Sequence, residues 1–101
     1  MNGHFIYQFE WDPIKAHENK NKHGVSFERS ATVFSDPGAL SLFDKSHSVS
    51  EERWITMGID QNGILLVVCH TYRYRNQSGA IVRIISARKA TKRETSQYEG
   101  K

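Results

Sequence analysis

Apolar and polar positions alternate with period two at the start of the chain, in Phe5-Ile6-Tyr7-Gln8-Phe9-Glu10-Trp11, which predicts a first strand with Phe5, Tyr7, Phe9 and Trp11 on one face. The period then changes. Asp12-Pro13 predicts a helix over residues 13–23, because the aspartate accepts from free N–H groups of the first turn and the proline has no N–H to lose. Gly24 suits the left-handed cap that ends such a helix. The helix is polar almost throughout, so only a narrow stripe around Ile14 is expected to be buried. Ser26 caps a shorter helix to about Phe34, with Phe27, Ala31 and Phe34 at helical spacing, stopped by Asp36-Pro37-Gly38.

Beyond it the periodicity returns to two. Residues 39–43 read as a short strand and residues 44–52 as a polar loop. Residues 53–60 alternate, with Ile55, Met57 and Ile59 facing the core. Asp60-Gln61-Asn62-Gly63 is a tight turn into residues 64–71, apolar on both faces and so expected at the sheet centre. Residues 72–79 read as a polar loop and 80–87 as a further strand. Thr91-Lys92-Arg93-Glu94 matches a capping box and opens a last helix through Tyr98. The sum is one α+β domain over residues 1–101. It has an antiparallel sheet of four to five strands, two N-terminal helices and one C-terminal helix.

Charge sharpens this picture. Residues 73–101 hold eight Lys/Arg against two acids, a charge of +6, whereas residues 1–72 hold six against nine, a charge of −3. The basic C-terminal third points to a polyanionic partner. The 38% apolar share suffices for a core, and the single Cys69 excludes an internal disulfide framework and fits a reducing compartment. With no signal-like or membrane-spanning apolar stretch, a cytoplasmic setting is expected.

Several segments together resemble a known family: Phe9-Glu10-Trp11-Asp12-Pro13, Lys22-His23-Gly24-Val25-Ser26-Phe27, Ala31 to Phe34 with Asp36-Pro37, Glu52-Arg53-Trp54, Gly58, Leu66-Val67-Val68 to His70-Thr71, and Arg83 to Thr91. In order and spacing these are similar to the BrnT toxins of bacterial type II toxin–antitoxin systems. The resemblance implies a RelE-like fold and a metal-independent ribonuclease that arrests translation. It also implies a cognate BrnA-like antitoxin that binds the toxin and represses the operon, so that operator DNA is met only through the antitoxin. The loop over residues 72–79 is longer than the family's usual one, which leaves open whether Arg73 or Arg75 matches a family basic residue.

RNA supplies its own nucleophile, the 2′-OH. Metal-free cleavage then needs a base, cations around the phosphorane and an acid for the 5′-oxygen. Arginine suits the cationic part because its planar fork grips two phosphate oxygens. Arg88 and Arg83 are the expected phosphate ligands. They lie on opposite faces of a regular strand, a constraint that Arg88 escapes if the strand ends near Ser86. The plain alternative for Arg88 is a structural pair with Glu52 or Glu94. His70, ending the central strand beside these arginines, is a candidate acid or base; a satisfied structural histidine is the alternative. Glu52 and Arg53 are candidate base and phosphate ligand, or a solvated loop end. Arg73, Arg75, Lys89, Lys92 and Arg93 are expected to attract RNA backbone. Tyr98 either stacks on a base or packs its helix on the sheet. No cofactor is expected: the histidines lack metal-ligand spacing, and Cys69 reads as a core residue. The competing classes are a non-catalytic RNA-binding module and an inactive homologue that retains antitoxin binding.

Overall fold

The computed structural model describes residues 5–100. β1 (Ile6–Glu10) leads into α1 (Pro13–His23) and α2 (Phe27–Thr32), and a 3-10 turn (Val33–Ser35) ends this helical segment. β2 (Leu40–Phe43), β3 (Arg53–Ile59), β4 (Leu65–Thr71), β5 (Arg73–Asn76) and β6 (Gly79–Lys89) follow, with α3 (Lys92–Glu99) last. The caps form as the sequence predicts. Asp12 accepts from Ile14 N–H, Gly24 takes φ 69° and donates to Lys20, and Thr91 and Glu94 close the capping box. The β3–β4 turn has its positive φ at Gly63 alone, and the Asp60 carboxylate holds it through Asn62 N–H and Ile64 N–H. Among the described residues no helix is long and apolar enough to cross a membrane.

The sheet departs from expectation in three ways. It is mixed, not antiparallel: in the order β1-β6-β4-β3-β2, β1 pairs β6 in parallel while the other pairs are antiparallel. Alternation fixes which face of β1 is buried, but not the direction of its neighbour, so the sequence pattern is blind to this.

It also has a sixth strand, where a polar loop was expected. β5 pairs β6 in register with the end of β4, His70 opposite Ile84 and Arg73 opposite Ile81, so β4 and β5 form one long strand interrupted at Tyr72. Its side chains are exposed on both faces, which removes the hydrophobic signal while the backbone ladder remains.

Third, β6 runs through Lys89 and bulges. Cys69 faces Ser86 but His70 faces Ile84, leaving Ile85 as the extra residue.

Two cores cover the two faces. Val25, Phe27 and Val33 from the helical segment pack on Leu66, Val68, Val82, Ile84 and Ala87, defining the helix face. Tyr98 of α3 packs on Met57 and Val67 on the other, the α3 face. β1 ends at Glu10, so β6 beyond Arg83 lacks a strand on that edge. Asn19 takes its place: the buried amide accepts from Ala87 N–H and donates to the carbonyls of Ala87 and Val25 at 2.9–3.1 Å.

Candidate active site

The bulge decides which side chains share a surface. Ile84 and Ala87 both enter the helix-face core although they are an odd three positions apart, so the alternation of β6 slips by one at Ile85. Arg83, before Ile84, and Arg88, after Ala87, therefore both point to the α3 face. In an unbroken strand their odd spacing would divide them. Arg88 is opposite Val67, a member of the α3-face core.

Arg53 joins them by the same parity, two residues before Ile55. It pairs across to Thr71, and the register between His70 and Arg73 sets Thr71 beside Arg83. Arg73 stands opposite Ile81 and Arg75 donates to Gln8, both partners being on this face. Five arginines thus line one side of one sheet.

The acids among them hold them in place. Glu51 accepts from Arg83 at 2.5 Å and lies 3.7 Å from Arg53. Arg88 makes a two-pronged contact with Glu94, both N–H···O distances being 2.8 Å. The hydrogen bonds from Arg88, with help from Thr91 N–H, overcome partial burial and hold the Glu94 carboxyl at about 2, while Arg88 is pushed upward. Among the described residues no cluster of three or more His, Cys, Asp or Glu side chains could hold a metal ion.

The other expected residues fall elsewhere. Glu52 is exposed, and Glu51 occupies the place among the arginines. The period-two pattern of 57, 55 and 53 extends to 51, so parity was the available signal. His70 lies across the sheet from the arginines, 2% exposed, with its ring 4.9 Å from that of Phe34. Burial lowers its pKa against the opposing pull of the Thr71 carbonyl. The neutral ring donates from Nδ1 to that carbonyl and accepts at Nε2 from Thr56 at 2.6 Å. Tyr98 is buried with its hydroxyl 2.5 Å from Asp36, which pushes the phenol up to about 12. Its ring packs the helix and is not open to a base. Lys89 turns to the helix face, one residue beyond Arg88, while Lys92 and Arg93 are exposed on the first turn of α3.

An arginine-lined sheet face beside a basic helix end is the equipment of a phosphodiester-binding protein, and the comparisons give the class: ribonuclease toxins of type II toxin–antitoxin systems. The family model described as "Ribonuclease toxin, BrnT, of type II toxin-antitoxin system" matches residues 11–94, and the chain belongs to this family. The matched span includes all five arginines together with Glu51 and Glu94. The fold is similar to the 1.1 Å crystal structure of the Brucella abortus ribonuclease toxin BrnT, with a TM-score of 0.61 at 21% identity, over 86% of this chain and 100% of that one. No curated protein matches.

Proposed function

We propose that this BrnT-family chain is an endoribonuclease of RelE-like fold that cuts RNA by metal-independent attack of the 2′-OH. In this reading it acts in the cytoplasm, inhibits translation, and is neutralised by a BrnA-like antitoxin that also carries the operator-DNA contact. The observation that supports it most is the convergence of Arg53, Arg83 and Arg88 on one face with a carboxylate, Glu51, between two of them.

Magnitudes divide the labour. Arg83, Arg53 and Glu51 are each more than a third exposed, and exposed pairs of this kind contribute about 0–1 kcal/mol. The RNA phosphodiester displaces Glu51 from the two guanidinium groups before any bond changes, and the same groups then stabilise the dianionic phosphorane, which offers more charge and more acceptor oxygens. The freed carboxylate takes the 2′-OH proton. The 2′-oxygen attacks phosphorus, and the P–O5′ bond breaks as the leaving oxygen takes a proton from solvent water. The products are a 2′,3′-cyclic phosphate and a 5′-OH, with Glu51 returning its proton to solvent. Arg88 stays fixed by Glu94 and adds a third positive charge. Arg73, Arg75, Lys92 and Arg93 draw in the strand. His70 serves the sheet interior.

The same ion pairs favour a second reading. If Glu51 does not yield to phosphate, this face binds RNA without cutting it. Incubating antitoxin-free protein with single-stranded RNA in EDTA separates the two. Cleavage leaving 2′,3′-cyclic or 3′-phosphate ends, lost in Arg83→Ala, is the expected result. Binding without cleavage supports the second reading, and an absolute need for Mg²⁺ defeats the metal-free mechanism.

A further inference from the structure

From Tyr72 into β5 the chain reads Tyr72-Arg73-Tyr74-Arg75, and an extended chain turns such an alternation into two surfaces. The arginines face the α3 side. Tyr74 stands opposite Ala80 of the buried helix-side pattern, and Tyr72 lines a cavity on that side. Among the described residues β5 pairs only with β6, and β3 begins no earlier than Arg53, so the outer edge of β5 is open. A chain crossing that edge meets cations on one face and aromatic rings on the other.

The cavity holds about 170 Å³, comparable to the ~150 Å³ that accommodates a benzene ring. Tyr7, Phe34, Trp54 and Tyr72 form its walls, and His70 and Ser41 complete its lining. The hydrogen-bond directions there are determined. Thr71's carbonyl can only accept, so His70 Nδ1 carries the proton and Nε2 accepts from Thr56. Thr56 Oγ1, its proton committed, accepts from Ser41 at 2.7 Å. Ser41 is left presenting lone pairs alone, and it is exposed. Four aromatic walls with one fixed acceptor form a stacking site that selects a flat ring bearing a donor.

We propose that this cavity receives one nucleobase of the RNA, a base with an exocyclic amino group, while the sugar–phosphate chain crosses the open β5 edge over Arg73 and Arg75 toward Arg83. Adenine, cytosine and guanine can donate to Ser41 through their amino groups. Uracil has a donor only at N3–H, which lies between two carbonyls whose lone pairs would face those of Ser41, so it is the poorest match. The proposal rests on the ribonuclease reading for its substrate, yet the pocket can be tested without cleavage.

The test titrates the full-length Arg83→Ala protein with the four nucleoside 3′-monophosphates, following tryptophan fluorescence, since Trp54 lines the cavity. Saturable quenching is expected, at least about tenfold weaker for uridine than for the best amino-bearing base. Adding Tyr72→Ala should weaken it by about tenfold to a hundredfold, the loss of one stacking contact, while Tyr72→Phe retains it. Adding Ser41→Ala should level the four affinities. In the cutting protein, the same Tyr72→Ala and Ser41→Ala changes should flatten base preference at one position near the cut and raise the KM for RNA. Base binding in a wild-type protein that cuts no RNA sinks the nuclease and leaves the pocket standing. Absence of saturable quenching, or affinities indifferent to Tyr72→Ala, overturns the pocket. So does loss of antitoxin rescue in Tyr72→Ala without nucleotide binding, which would assign the cavity to a protein side chain.

Discussion

Replacing Glu94 by glutamine removes the charge that holds Arg88 while leaving a side chain that can still reach Thr91 N–H in the capping box. The structure bounds the cost. Holding the carboxyl at about 2 instead of 4.5 corresponds to at most about 3 kcal/mol at neutral pH. Solvent reduces that figure, because the Arg88 side chain is 42% exposed and that of Glu94 is 23% exposed, so about 1–2 kcal/mol is expected. The folded pKa lies below the unfolded one, so the contribution is complete above about pH 4.5 and disappears as the pH falls toward 2. At pH 3 roughly half or less should remain. Urea unfolding of wild type, Glu94→Gln, Arg88→Ala and the double variant at pH 7 and pH 3 measures it. The expected result is a coupling of about 1 kcal/mol or more at pH 7 that shrinks at pH 3. A coupling below about 0.3 kcal/mol, or one equal at the two pH values, would refute the clamp; the ordered Arg88 would then need another explanation.

Three further outcomes follow from the geometry. Asn19→Ala leaves Ala87 N–H and two carbonyls without their side-chain partner in a buried setting, and should cost about 2–3 kcal/mol in chemical denaturation; a loss below about 0.5 kcal/mol would show that another group closes the β6 edge. Gly58→Ala brings a Cβ to 2.8 Å from Val33 Cγ1 and 3.1 Å from Ala39 Cβ, so about 1–3 kcal/mol of overpacking is expected, visible as a lower Tm. Arg83→Ala should stop growth arrest on expression yet change stability by no more than about 1 kcal/mol, because its pair with Glu51 is exposed; growth arrest by a folded Arg83→Ala protein would remove Arg83 from the site.

The elements were legible where local chemistry determines them. Asp12, Ser26 and the Thr91–Glu94 box satisfy free helix-end groups with their own side chains and Gly24 does so with its backbone N–H, and all four cap as written. Strands β3 and β4 were legible because they alternate against, or lie within, a core. β5 was not, since a strand whose four side chains are all exposed shows no apolar period, and its pairing is a property of β6. The parallel direction of β1 depends on how the chain crosses the sheet, which no window of residues contains. Within the site, Arg53, Arg83 and Arg88 were found by residue type. Their convergence depends on a single unpaired residue, Ile85, and a bulge leaves no mark in composition. Glu51 was passed over for its neighbour Glu52, although the parity running back from Met57 through Ile55 and Arg53 favours it.

That bulge also explains why stability and binding can be separated on one surface. Without the extra residue, Arg88 would point into the helix-face core, where an unpaired guanidinium costs several kcal/mol. With it, Arg88 reaches Glu94 at the start of α3, and one ion pair both completes the helix cap and fixes a cation on the arginine face. Arg83 and Arg53, at the far end of the same face, share a single exposed acid and are held weakly. The face therefore carries a soft contact at one end and a rigid one beside α3. In the proposed mechanism the displaceable pair would supply the proton acceptor, and the rigid pair would supply charge that does not reorganise during the reaction. Exchanging these roles, by making the Glu51 contact buried and the Glu94 contact exposed, would leave the net charge unaltered and remove the base from use.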